Sequence, residues 1–155
     1  LFVFVARPDV WKRNNQWMLQ EFDRRGNMPE KAYQYFTKIT RIAYTQGAFA
    51  LAKRVWFAFR ALRKPTPREP IGWSDMRVWA HKSTALSAAH FMLAMRAEGY
   101  DTCPMEGMDS ARVKRILQLP RNAEICMVVS AGKRTEKGVY GDRFRFNRDT
   151  FYKEC

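Results

Sequence analysis

Hydrophobic and polar positions along the chain predict one strand, then a series of helices, then a second strand. Residues 1–6 are almost continuously apolar, which is typical of a buried strand, and Arg7-Pro8 ends that run. A second apolar run covers 123–131 and is closed by Gly132. Its length and its flanking turn residues again favour a buried strand over a helix.

Helical spacing dominates the residues between these strands. Asp9-Val10-Trp11 is predicted to open a helix that extends to about Asp23. Pro29 suits the first turn of a second helical stretch, from about 30 to 64, which Gly47 can kink or divide. A third helix is expected from Trp73 or Ser74 to about 98, with a surface rich in alanine and methionine that suits close helix packing.

Two further segments complete this outline. Three prolines in 65–72 predict a surface loop, and we interpret 30–72 as a lid or insertion within a single domain. Residues 110–119 predict a short basic helix capped by Asp109 or Ser110 and stopped by Pro120. The basic and aromatic tail, 135–155, has little regular pattern.

Segment 41–64 combines positive charge with an apolar stripe. It holds six basic residues and no acidic one. Apolar side chains recur at three- or four-residue steps at Tyr44, Ala48, Leu51, Val55, Phe59 and Leu62. A helix that covers the core or a subunit interface is the favoured interpretation. The alternative is a helix that lies on an anionic membrane.

Composition narrows the possible classes of protein. The chain has 155 residues, the size of one domain, and a formal net charge of +13. Such a surface attracts phosphate-bearing partners, although a simply solvated basic surface is the preferred interpretation. No apolar run reaches the ~20 residues of a membrane span, and no signal peptide is evident. Three widely spaced cysteines form no disulfide framework, so we expect a cytoplasmic protein.

The sequence gives no support for a metal site formed by its histidines or for the common nucleotide-binding loops. His81 and His90 lie too far apart on one helix to bind a single metal ion by themselves. Neither a P-loop nor a G-x-G-x-x-G motif occurs. Two features remain: the Pro104-Met105-Glu106-Gly107 segment, predicted to be a turn between two helices, and Arg143 with Arg145. These arginines are two residues apart, so in an extended segment they point to the same side, as phosphate binding requires.

The order of these motifs resembles the FMN-dependent nitroreductase family. The shared order comprises the first strand, Trp79-Ala80-His81-Lys82, the Pro-x-Glu-Gly segment, a short helix, an apolar strand, Gly132-Lys133-Arg134 and the basic pair. The resemblance is close from about Trp79 to Cys155 and loose from Gln16 to Arg77. It implies an α+β fold in which a mixed sheet is flanked by helices, and an intertwined homodimer in which helix 74–98 contributes to the interface.

The resemblance also implies a chemistry. NAD(P)H would reduce FMN, which would then reduce an electron-poor acceptor such as a nitroaromatic or a quinone. Glu106 and Gly107 would lie at the flavin face with main-chain N–H groups toward N5, and Pro104 and Met105 would pack beneath it. Arg143 and Arg145 would contact the FMN phosphate. The aromatic side chains Tyr33, Phe36, Tyr44 and Phe49 are either acceptor-pocket or core residues.

The chain departs from the family pattern at its beginning. The family's N-terminal Arg-x-Ser phosphate contact and its Asn-x-Gln-Pro-Trp-type segment are absent, so these residues supply only part of a flavin site. We expect the chain to be the C-terminal two-thirds of one nitroreductase-like domain. The alternative function is a non-enzymatic module that uses 41–64 and the tail to bind nucleic acid or a membrane surface. A family member that has lost flavin is a third possibility.

Overall fold

The computed structural model describes residues 1–26, 28–45, 47, 49–138, 141–142 and 144–154. Its main elements in chain order are β1 (Phe2–Ala6), α1 (Trp11–Arg25), α2 (Glu30–Gln34), a π-helical turn (Tyr35–Ile39), α3 (Thr40–Tyr44), α4 (Phe49–Ala61), α5 (Trp73–Ala97), β2 (Asp101–Met105), α6 (Ser110–Ile116) and β3 (Glu124–Gly132). Two 3₁₀ turns, Glu136–Gly138 and Arg148–Thr150, lie in the tail. The predicted α+β class is confirmed.

The sheet has the strand order β1-β3-β2, and both pairings are antiparallel. A mixed sheet had been expected, but these three strands show antiparallel neighbours only. The central strand β3 carries the buried Val128 and Val129, because it has a neighbour on each side. Strand β1 is at an edge, and of its residues only Ala6 is fully buried. A bulge interrupts its pairing between Phe4 and Val5.

Strand β2 was not predicted from the sequence. Residues 104–107 had been interpreted as a turn between two helices, yet Pro104 and Met105 are the last two residues of this strand. Proline lacks an N–H group, but an edge strand tolerates it because one side of the strand has no ladder bonds to make. Gly99, with φ +81°, ends α5, and the N–H of Tyr100 bonds to the carbonyl of Met95 at 2.9 Å, so the chain turns directly into β2.

The predicted helical stretch 30–64 is divided near Gly47, as expected, since this residue has φ +113°. Within the first part, the π-helical turn widens the helix, and the Thr40 hydroxyl donates to the carbonyl of Tyr35 at 3.1 Å. The Lys53 ammonium of α4 then donates to the carbonyls of Ile42, Ala43 and Thr45 at 2.6–3.1 Å. These bonds hold the start of α4 against the end of α3.

Helix α5 packs along the sheet. Met76, Ala80 and Ala88 are its buried residues, and the Phe91 ring lies 4.5 Å from Phe2 and 5.5 Å from Phe4, measured between ring centroids. The predicted loop 65–72 carries no helix or strand, and its buried Ile71 anchors it to the core. In the described part of the chain, no helix is both long enough and apolar enough to cross a bilayer.

Candidate functional site

The segment 104–107 lies at the end of the edge strand β2. Pro104 and Met105 pair with Val129 and Val128 of the central strand, which fixes their positions. Glu106 and Gly107 follow and are exposed. Their backbone N–H groups have no acceptor among the described residues, whereas the carbonyl of Glu106 accepts from the N–H of Met108 at 2.9 Å. The segment therefore carries two main-chain donors that no described residue satisfies.

Gly107 has an ordinary backbone angle, and the space where a side chain would lie is empty. Its φ lies outside the left-handed region, so the backbone angle does not require a glycine here. A Cβ placed on Gly107 would meet no atom within 4 Å. A flat ligand could therefore approach this backbone without contacting a side chain.

The beginning of α6 fixes the other side of this segment. A carboxylate oxygen of Asp109 accepts from the backbone N–H of Arg112 at 2.9 Å, which confirms Asp109 as the N-cap. An N-cap bond of this kind satisfies one of the free donors in the first helical turn. Residues 106–108 are thus held between a paired strand and a capped helix, so their backbone is well positioned for recognition.

A charged network connects α5 to the central strand behind the site. The Arg77 guanidinium donates two hydrogen bonds to the Glu124 carboxylate, at 2.6 and 2.9 Å, and His81 Nε2 lies 2.9 Å from the same group. The Arg77 hydrogen bonds, with a smaller contribution from His81, lower the pKa of Glu124. Local sequence patterns do not reveal this network, because Glu124 is 47 positions from Arg77 and 43 from His81. A glutamate at the start of an otherwise apolar strand was the one visible signal.

Cys126 lies next to this network and is not an activated nucleophile. Its Sγ is 3.7 Å from the carbonyl of His81, and burial raises the pKa of the thiol, with a smaller contribution from the Glu106 carboxylate. A thiol with a raised pKa is mostly protonated at neutral pH. Cys126 therefore acts as a small packing residue in the strand.

The predicted phosphate contacts belong to the C-terminal tail, where Arg145 is among the described residues. Arg145 is exposed and donates to the carbonyl of its neighbour Phe144 at 2.8 Å. Among the described residues, no hydrogen bond or ion pair joins Arg145 to residues 104–107. Arg143 lies outside the described residues. Phosphate binding by this pair stays a prediction.

A second basic group lies at the opposite end of β2. Lys133 and Arg134 line a groove of about 220 Å³ with Asp101, whose carboxylate is 2.6 Å from Arg96 and 4.0 Å from Arg134. Strands rise about 3.3 Å per residue, so Asp101 and Glu106 are roughly 16 Å apart along the chain. The groove is therefore separate from the 104–107 segment.

An aromatic pocket of about 180 Å³ lies between α1, α3 and α5. Tyr44 packs against Trp11 at 5.8 Å and against Trp79 at 5.0 Å, and Phe36 also lines the pocket. The Asn15 Nδ2 donates to the carbonyl of Phe36 at 3.0 Å, while its buried Oδ1 has no partner in the described chain. Burial raises the pKa of Tyr44, consistent with a packing role.

The other two aromatic candidates are placed differently. Tyr33 is exposed and lines a separate groove beside Phe22, and the side chain of Phe49 lies outside the described set. The aromatic pocket and the 104–107 segment share no lining residue. His90 is exposed and its Nδ1 lies 2.8 Å from the carbonyl of Leu86. Within the described ranges, no group of His, Cys, Asp and Glu could hold a metal ion.

Comparison with known proteins matches this arrangement to one family. The sequence profile of the nitroreductase family covers residues 2–133. MhqN of Bacillus subtilis, whose name assigns it to the NAD(P)H nitroreductases, is 44% identical over 54 residues, which are 35% of this chain and 26% of MhqN.

Solved structures agree on the fold. The nitroreductase ydfN of Bacillus subtilis superposes with a TM-score of 0.70 at 22% identity, over 97% of this chain and 61% of that one. A protein of Exiguobacterium sibiricum, described as a nitroreductase in complex with FMN, gives a TM-score of 0.61 at 16% identity, over 97% of this chain and 60% of that chain. This chain thus spans less than two thirds of each of these proteins. It belongs to the nitroreductase family.

Proposed function

We propose that the protein carrying this chain is an FMN-dependent oxidoreductase. It would take reducing equivalents from NAD(P)H and pass them to an electron-poor acceptor, a nitroaromatic or a quinone, in alternating half-reactions. Family membership supports this proposal, as do the FMN in the Exiguobacterium sibiricum protein and the NAD(P)H in the name of MhqN. Bound FMN would supply the hydride chemistry at its N5 atom.

The observation that carries the proposal is the backbone at Glu106 and Gly107. Its two N–H groups point to no acceptor among the described residues, and the space beside Gly107 is open. Main-chain donors suit a flavin because they stabilise charge near N5 without adding a competing acid. Pro104 and Met105, held in the edge strand, would support the ring, and the tail residues Arg143 and Arg145 would bind the phosphate.

The proposed protein is a homodimer, and α5 offers a face for a second copy. Leu86, Ala89 and Leu93 are exposed and recur at three- and four-residue spacing on one side of this helix. All three side chains are apolar, so this part of the face can pack against another helix. The family resemblance places FMN at such an interface, so both subunits would complete the site.

The test is a bulky substitution at Gly107 in the full-length protein. Because the Cβ position is open, Gly107→Phe should fold normally but fill the space that the flavin needs. We expect the purified wild type to show flavin absorbance bands that bleach anaerobically with NADPH, and the variant to have lost most of the bound flavin. Gly132→Phe is the matched control, because its Cβ is equally unobstructed at the far end of the sheet.

Two results would contradict the proposal. A wild type that is colourless and gains no flavin bands with added FMN would rule out the oxidoreductase activity. A Gly107→Phe variant that keeps its flavin would show that this backbone is not the flavin face. Circular dichroism of both variants separates lost binding from lost folding.

A further inference from the structure

The face of the sheet that packs against α5 includes one charged side chain, that of Glu124. Phe2 and Phe4 of β1 lie on this face, since both rings pack against Phe91 of α5. Alternate residues of a strand share a face, so Ala6 faces α5 as well. Its partner in the central strand is Glu124, and opposed residues of paired strands point to the same side.

Glu124 reaches this face because the central strand contains one extra residue. Phe4 and Val5 are neighbours in β1, but the pairing of β1 with β3 skips Cys126 between their partners, which makes this position a β-bulge. Without the bulge, the register would put Ile125 on the face that Glu124 now occupies, and Glu124 would point to the other side of the sheet. The bulge therefore directs a carboxylate toward α5.

On that face, α5 engages both oxygens of the Glu124 carboxylate. Arg77 donates from Nε to one oxygen at 2.6 Å and from Nη2 to the other at 2.9 Å, and His81 Nε2 lies 2.9 Å from the second oxygen. An ionised carboxylate only accepts, so His81 carries a proton on Nε2. Arg77 and His81 are one helical turn apart, so Glu124 holds this turn of α5 against the bulged part of β3.

The bulged part of β3 lies beside the backbone of segment 106–107. Strand β2 stays paired with β3 through its last residue, Met105, so segment 106–107 continues along the same strand toward the bulge. Burial, and to a smaller extent the Glu106 carboxylate, raises the pKa of the Cys126 thiol, which places Glu106 near Cys126. The Cys126 Sγ is in turn 3.7 Å from the carbonyl of His81. The network, the bulge and segment 106–107 are therefore neighbours.

We propose that Glu124, held by Arg77 and His81, is a positioning residue for the backbone of Glu106 and Gly107 and, through this backbone, for FMN. Main-chain donors bind a flat ring tightly only when they are held at a fixed distance and angle, and Glu124 restrains them from behind without touching the ligand. This inference rests on the proposed function, because that function assigns these donors to the flavin.

A second ion pair of the same kind provides a matched control. Arg96, near the end of α5, lies 2.6 Å from the carboxylate of Asp101 at the start of β2. Like the Arg77–Glu124 pair, it joins α5 to a strand through one arginine and one carboxylate. It is roughly 16 Å from Glu106 along β2, so its removal perturbs the contact between helix and sheet at the far end only.

The test compares two double variants of the full-length protein. Arg77→Gln/Glu124→Gln removes the network pair and Arg96→Gln/Asp101→Asn removes the control pair, and neither alters the net charge. We expect the Kd for FMN, measured by quenching of flavin fluorescence, to rise about tenfold in the first variant and to change by less than about twofold in the second. Urea unfolding of both variants shows whether the loss of affinity merely follows a loss of stability.

Amide proton–nitrogen correlation spectra of the FMN-free protein report on the backbone directly. The resonances of Glu106 and Gly107 should move in Arg77→Gln/Glu124→Gln and should stay in place in the control variant. His81→Ala leaves the Arg77–Glu124 pair intact and should cause smaller changes of the same kind, so it serves if the double variant does not fold. His90→Ala is its control, because the exposed His90 ring lies only against the carbonyl of Leu86.

Three results would overturn the inference. The first is unmoved resonances of Glu106 and Gly107 in Arg77→Gln/Glu124→Gln. The second is an equal rise of the FMN Kd in both double variants, which would mean a general structural role. The third is an unchanged Kd despite moved resonances. A wild type that binds no FMN would contradict the proposed function itself, and the resonances would still decide whether Glu124 positions this backbone.

Discussion

Met76 is the largest fully buried side chain of α5, and truncating it tests how that helix is held on the sheet. Met76→Ala removes three heavy atoms from a site with 0% exposure. At about 0.8 kcal/mol per buried methylene-sized group, the lost transfer free energy is about 2.4 kcal/mol. A partly relaxed cavity raises the cost in unfolding free energy to about 3 kcal/mol. For a chain of this size, that corresponds to a melting temperature lower by about 6–12 °C.

The measurement is urea or thermal unfolding followed by circular dichroism. Val78→Ala on the same helix is the control, because Val78 is exposed and its truncation should change stability by about 0.5 kcal/mol or less. Met76→Leu nearly conserves volume and should cost less than about 1.5 kcal/mol. If Met76→Ala and Val78→Ala destabilised the protein equally, Met76 would not be a buried contact that holds α5 on the sheet.

Two further predictions concern ionisable groups. The folded-state pKa of Glu124 is lowered, chiefly by its hydrogen bonds from Arg77. The ionised carboxylate therefore stabilises the fold fully above the pKa of the unfolded carboxyl, about 4.3. This stabilisation is lost as the pH falls through the lower folded-state pKa. Unfolding of Glu124→Gln should therefore show a smaller loss of stability between neutral and acidic pH than the wild type, and identical profiles would refute the network's role. Exposed Cys103 should react with iodoacetamide at pH 8 much faster than Cys126, whose pKa is raised by burial, when labelled peptides are followed by mass spectrometry. Equal labelling rates would show that Cys126 is accessible.

Much of the local structure was determined by the sequence. The helices α1 and α5, the division near Gly47 and the cap at Asp109 follow from short-range rules of periodicity, backbone freedom and capping. Strand β3 was predictable because a short apolar run bounded by turn residues is typical of a buried strand. The segment 104–107 was selected through its resemblance to a family, since its residue types alone also suit an ordinary turn.

Long-range contacts decided the rest. Strand β2 contains a proline and only five residues, so local pattern gives no strand signal, and its pairing with β3 alone makes it a strand. Arg77 and Glu124 are 47 positions apart, and no local rule relates them. The periodicity of α4 showed a stripe, but a stripe looks the same whether it faces a core or solvent. Only the tertiary structure decided that it faces outward, because burial depends on what else packs against the helix.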